Sequence, residues 1–282
     1  MKISWLAKEE DANLASFRYR IALPAFVLAS QHKVSLGETG DVVVASKHFE
    51  RPETVERLRA SGKAVVFDCC DNHLGTQYRD YYLRMCRVAH VVTVPTPEMQ
   101  RVLQAEGIES VVVPDPYEFP WAEPKVGGVK RLFWYGHVSN IKPLVQLMES
   151  HPEYEYRVIS NLEADWVRPW SLKEMLDGFG WCDAVVIPQE QTAKTACKSP
   201  NRVVEGIWSG RFVCASPIPA YEQFAPYAWI GDVAEGLEWL KANPREALER
   251  VKAGQAYIAA NFAPVDIAKK WLAVFEDALG RR

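Results

Sequence analysis

The stretch KSPNRVVEGIWSGRFVCAS, from Lys198 to Ser216, carries Lys198, Asn201, Arg202 and Glu205 in the first turns of a helical pattern. It then stops at Gly210 and becomes an apolar run. Free backbone N–H groups and the helix dipole make a helix N-terminus favourable for an anion. Lys198 and Arg202 add positive side chains at that end, so the chemistry that fits is phosphate binding. Capping by Ser199 or Asn201, Pro200 in the first turn and solvated cations account for the same residues without a ligand. Glu205 lies deeper, within VVEGIW, where a carboxylate needs a hydrogen-bonding partner. A pair of ribose hydroxyls suits it, because a carboxylate accepts two hydrogen bonds at once. A buried pair with Arg202 or a lysine is the alternative.

Three other clusters have chemical potential. RLFWYGHVSNIKPL places Gly136, His137, Ser139, Asn140 and Lys142 between a strand and a helix. A glycine there admits close backbone approach to a phosphate, with Lys142 adding charge. A plain strand–helix turn capped by Asn140 explains the same residues. AVVFDCCDNHL puts Asp68, Asp71, Asn72 and His73 after a strand. Asp71 and His73 suit acid–base work or a grip on a sugar hydroxyl, and Asp71 is preferred to Asp68. No further cluster completes a metal site. FRYRIALPA offers Arg18 and Arg20 to a phosphate, or to solvent on an exposed helix face.

These residues need a scaffold, and the pattern supplies one. Apolar strand-like runs at 2–7, 41–46, 64–68, 90–95 and 110–114 alternate with helical stretches at 17–31, 52–61, 78–89 and 96–107. Pro52 and Pro97 fall in first turns, and Gly62 and Gly107 follow last turns. Runs that are apolar throughout belong to a buried parallel sheet. DPYEFPWAEPKVGGVK, 115–130, has the proline and glycine content of a linker. The alternation then restarts with strands at 131–136, 154–160, 183–188 and 211–216, and the chain ends in helices. This predicts two doubly wound α/β domains, whose ligands sit beyond the carboxyl ends of their strands, in a cleft between the two.

The bulk properties narrow the classes. A length of 282 residues suits two domains, and a net charge of −3 gives no prior for wholesale nucleic-acid or acidic-membrane binding. Six cysteines without a CxxC pair are expected to be reduced thiols in a cytoplasmic protein. No run is long enough to span a bilayer, which leaves peripheral membrane contact open. No GxGxxG follows the first strand, and no GxxxxGK[ST] or GxSxG occurs. Dehydrogenase-type dinucleotide folds, P-loop enzymes and α/β-hydrolases are thereby disfavoured.

The order of these segments resembles that of GT-B glycosyltransferases, closest to the large retaining family 4. FRYRIALPAFVLASQHKV resembles the family's first strand–helix unit, and VPTPEMQRVLQAEGI with VVVPDPYE its passage between domains. RLFWYGHVSN resembles the glycine-bearing loop that opens the C-domain. PNRVVEGIWSGRFVCAS resembles the pattern K-x-x-E-x-x-x-x-G-x-P-V-V-A-S and is the most specific of the matches. AYIAANFAPVDIAKKWLAVFEDAL resembles the terminal helices, the last of which crosses back to the N-domain.

The resemblance implies an acceptor-side domain at 1–125, a nucleotide-sugar domain at 126–265 and a crossing helix at 266–282. It implies Glu205 on the donor ribose, Arg202 and Gly136 at the diphosphate, and Asp71 near the transferred sugar or acceptor. His137, Ser139, Lys142, Lys198 and Asn201 join the donor set, His73 joins Asp71, and Arg18 and Arg20 stand on the acceptor or phosphate side. The expected reaction is retaining, metal-independent transfer of a hexose from a UDP- or GDP-type sugar, with no cofactor beyond that co-substrate. Acceptors open to it are a glycan, a lipid-linked sugar, a small molecule or a modified nucleic acid. Cys197 stands where the family often has an earlier glutamate. With the short first domain, that departure supports the alternative of a nucleotide-sugar-binding protein without transferase activity; an epimerase on the same fold is a third reading.

Overall fold

A computed structural model describes residues 1–6, 13–46 and 52–282, so Ala7, at the end of the first expected strand, lies outside the described residues. The chain forms two compact units. One comprises Met1–Glu118, Ala196–Ser199 and Phe262–Arg282; the other comprises Phe119–Thr195 and Pro200–Asn261.

The first unit holds six parallel strands: β1 (Lys2–Leu6), β2 (Lys33–Leu36), β3 (Val42–Ser46), β4 (Ala64–Asp68), β5 (Val91–Val94) and β6 (Val111–Val112). Their order is β2-β1-β3-β4-β5-β6. Every residue of β3, β4 and β5 is buried, as central strands covered on both faces require. Helix Pro264–Gly280 covers one face, setting Trp271, Val274 and Phe275 against Trp5, Val44 and Val66. Helices Pro52–Ala60, Arg79–Val88 and Pro97–Ala105 cover the other.

The helical segment after β1 is not uniform. It runs Ala15–Phe17, then a π-helical stretch Arg18–Ala22, then Leu23–Leu28. Pro24 lacks an N–H, and its ring collides with the carbonyl four residues back in a regular α-helix. The wider turn, in which the Leu23 N–H donates to the Arg18 carbonyl, accommodates it.

The second unit repeats the plan with β7 (Arg131–Tyr135), β8 (Glu155–Ser160), β9 (Val167–Pro169), β10 (Ala184–Ile187), β11 (Phe212–Ala215) and β12 (Trp229–Ile230). The order is β12-β11-β10-β7-β8-β9, all parallel. The order reverses between β7 and β10, the switch point at which such sheets bind ligands. The edge strands β2, β9 and β12 have no counterpart in the apolar runs of the sequence.

Residues 115–130 were expected to be a linker. They form no regular element, and from Phe119 onward they are fastened to the second unit. Trp208 Nε1 donates to the Phe119 carbonyl at 2.9 Å, and Gln255 Nε2 to the Ala122 carbonyl at 2.8 Å. The Lys125 N–H donates to the Gly210 carbonyl at 2.9 Å. Gly210 itself has φ +73°, and a Cβ there would run into the Glu123 carbonyl. Gly62 has φ +78° with open space around it. Gly62→Ala therefore carries only the left-handed backbone cost, about 1 kcal/mol, whereas Gly210→Ala adds the collision and costs about 2–3 kcal/mol. Denaturant midpoints of the two variants check this order. Among the described residues no helix is long and apolar enough to cross a membrane.

Candidate functional site

In the second unit the switch point collects a polar group around one cation. Arg202 is the second residue of helix Asn201–Trp208 and is 9% exposed. Its Nη2 donates to Gln189 Oε1 at 2.6 Å and its Nη1 to the Tyr135 carbonyl at 3.5 Å. Both acceptors are neutral. The Tyr135 hydroxyl donates in turn to the Arg202 carbonyl at 3.0 Å, which pins the helix start to the end of β7. Burial pushes the Tyr135 phenol well above its ordinary range, so it remains protonated and a donor. Gly136 follows directly, and a Cβ on it would lie 3.4 Å from Arg202 Nη1 and 3.1 Å from the Trp134 ring. Thus Gly136 and Arg202, distant in sequence, are brought together.

Gln189 was missed by the sequence reading. It lies just beyond β10, is 8% exposed, and extends the contact outward. Its Nε2 donates to Tyr221 Oη at 3.2 Å, and Ser216 Oγ accepts its backbone N–H at 3.1 Å. The signal was present: a polar side chain shortly after an apolar strand, the rule that drew attention to Asp71.

The other donor-side candidates have different settings. His137 is exposed and caps the short turn Val138–Asn140, its ring Nδ1 accepting the Ser139 N–H at 3.2 Å. Helix Lys142–Ser150 starts without a side-chain cap, so Asn140 does not cap it. Lys142 is exposed and pairs with Glu190 at 3.1 Å. The cap position of helix Asn201–Trp208 is Pro200, whose side chain has no acceptor to offer. Asn201 is half-buried. Glu205 is 0% exposed, and its Oε2 accepts the Phe119 N–H at 3.3 Å. A backbone amide is thus one partner of this buried carboxylate.

In the first unit Arg20 is neither on an exposed helix face nor turned to an external phosphate. It is 1% exposed. Its Nη2 and Nε meet the two Asp68 oxygens at 2.6 and 3.1 Å, and its Nη1 meets Asp115 at 3.1 Å and the Val113 carbonyl. Ser46 and Thr93 hydroxyls complete the Asp68 carboxylate at 2.7 and 2.8 Å. The Trp271 ring lies 5.0 Å from the guanidinium. Burial pushes the Asp115 carboxyl above its ordinary range, with Arg20 and the Ser199 hydroxyl pulling against it. Arg18 pairs with Glu118 at 2.7 Å.

Asp71 and His73 sit together in the loop after β4, half-buried. The His73 ring stacks on Tyr82 at 4.6 Å. Lys198 is half-buried in the segment Ala196–Ser199 of this unit. Cys197 is 2% exposed within the apolar cluster that includes Met99 and Leu103. Asn72 Nδ2 donates to its sulfur at 3.4 Å and Thr96 Oγ1 to its carbonyl at 3.1 Å. Cys197 is therefore a core thiol. Among the described residues no group of three His, Cys, Asp or Glu side chains is placed to hold a metal ion.

No family model and no curated protein matches the chain. Among solved structures it is similar to a glycosyltransferase of Rickettsia africae, with 10% identity, 100% of this chain and 99% of that chain covered, and TM-score 0.70. It is similar to HepE of Anabaena solved with UDP-glucose, with 11% identity, coverage of 98% and 99%, and TM-score 0.69. It is also similar to TarM of S. aureus solved with UDP, with 13% identity, 90% of this chain covered and TM-score 0.65; there it spans 58% of TarM's length. The α/β architecture expected from the sequence, two Rossmann-like sheets of GT-B type, is the one the chain has.

Proposed function

We propose that the protein is a glycosyltransferase that takes its sugar from a nucleoside-diphosphate donor held by the second unit. The observation that carries this reading is Arg202. A guanidinium nine-tenths removed from water and met only by neutral oxygens among the described residues is short of counter-charge. Its place supplies the missing partner's identity. It lies at the switch point, against the Gly136 backbone and in the first turn of a helix, where a diphosphate gains from all three. Arg202, the helix N-terminus and Lys142 at the rim then stabilise the departing diphosphate electrostatically. In this reading Ser139, His137 and Asn201 of the second unit line the approach, and Glu205 fixes the helix through Phe119. Asp71 and His73 serve the transferred sugar or acceptor, and Arg18 keeps its place on the acceptor or phosphate side. Arg20 is left out because its donors are spent on Asp68 and Asp115.

The assignment to retaining family 4, and with it retention and metal independence, rests on the PNRVVE pattern. A reducing, cytoplasmic setting is supported by six free thiols. The test is a thermal-shift screen of UDP-, GDP-, ADP- and dTDP-sugars followed by product analysis. One donor family at about 100 times its Kd should stabilise the fold by about 2.7 kcal/mol and be consumed. No shift with any of them sinks the proposal.

A second reading, binding without transfer, is favoured by Cys197, whose thiol sits in a core where the pattern has a carboxylate. A donor that binds but is neither hydrolysed nor transferred would decide for it.

A further inference from the structure

We infer that Gln189 is a positioning residue whose neutrality keeps the charge of Arg202 available to the donor, with Tyr221 holding the amide in place. The inference rests on the proposed diphosphate role of Arg202. A guanidinium has only donors, so the oxygen of the Gln189 amide must face it and the nitrogen must point away. The nitrogen points at Tyr221 Oη, 3.2 Å distant, while Gln189 Oε1 stands 2.6 Å from Arg202 Nη2. Ser216 fixes the backbone of the same residue through a 3.1 Å hydrogen bond. Gln189 and Tyr221 are 8% and 1% exposed, so neither contact competes with bulk water.

Three strand ends are tied together by this chain of contacts. Gln189 follows β10, Ser216 follows β11, and Arg202 touches the last residue of β7. The arrangement orients the guanidinium without neutralising it and leaves its remaining N–H groups for a ligand. A carboxylate at 189 would have the same shape and the same reach. It would form a buried ion pair and take the charge that a diphosphate needs. The side chain at 189 therefore decides whether Arg202 acts as a ligand-binding cation or as one half of an internal salt bridge.

The experiment titrates purified protein with UDP, GDP, ADP and dTDP, and with the free nucleoside of whichever binds. Gln189→Glu should weaken diphosphate binding about 10- to 100-fold, the range of a charge-assisted hydrogen bond, and leave nucleoside binding within about twofold. Its unliganded melting temperature should equal or exceed that of the parent protein. Gln189→Met, which removes the hold without adding charge, should weaken the diphosphate less than Gln189→Glu does, and it carries the comparison if the glutamate variant does not fold. Equal diphosphate affinity in parent and variants overturns the inference and leaves the donor reading standing. Parallel loss of nucleoside and diphosphate also overturns it, since that marks a collapsed site. If the parent binds none of the four diphosphates, the donor reading falls and this inference with it.

Discussion

Arg202→Met abolishes most of the affinity for a nucleoside diphosphate while leaving the unliganded protein as stable as before, or more so. The expected loss is about 10- to 100-fold, because the removed contacts are charge-assisted and water-poor. The stability half of the result is the more diagnostic one. A buried charge with only neutral acceptors has paid its desolvation without a counter-ion, and methionine keeps the apolar stem without that cost. Residues that cost stability but serve a ligand are the ones whose removal stabilises a fold. Calorimetric titration and thermal unfolding on the same samples check both halves. A variant that melts well below the parent would mark Arg202 as a structural residue and remove the main support for the donor site.

Arg20→Met should do the reverse. That guanidinium is more deeply buried, and it faces Asp68 and Asp115. Removing it leaves two carboxylates buried without their cation, a loss of about 3–5 kcal/mol. Asp68 is worst placed to adjust, because β4 is a central strand and its carboxylate also receives Ser46 and Thr93. The measurement is the denaturant midpoint, and a change as small as that of an exposed pair would contradict the account. Arg57→Ala, which breaks the exposed contact with Glu38, supplies the comparison and should leave the midpoint in place.

The contrast between the two arginines also marks how far the sequence could be read. Strands β3, β4, β5, β7, β10 and β11 are nearly continuous apolar runs, and a buried parallel sheet is the arrangement that satisfies them. Strand β2 has no buried residue, and β12 is two residues long, so these edge strands leave no comparable pattern, whereas the edge strand β6 lies in the apolar run 110–114. Gly136 and Arg202 were legible because helix starts and glycine turns have local signatures. The partners of Arg20 were not. Asp68 lies 48 positions away, and only the fold brings it within hydrogen-bonding distance. Gln189 was overlooked for a related reason, although its place beyond a strand was visible. A glutamine after a strand is unremarkable until the cation it faces is known. Glu205 was correctly marked as a buried carboxylate in need of a partner, but a backbone N–H from 86 positions earlier has no sequence signature.

The distribution of the chain between its units bears on how the protein is made. The core of the first unit is incomplete without Trp271, Val274 and Phe275, which come from the last helix. The second unit needs nothing beyond Asn261. A chain leaving the ribosome therefore cannot complete its first unit until that helix has emerged. Until the final helix emerges, Trp5, Val44 and Val66 wait with an uncovered apolar face, which is the stage of synthesis at which a chaperone has most to protect.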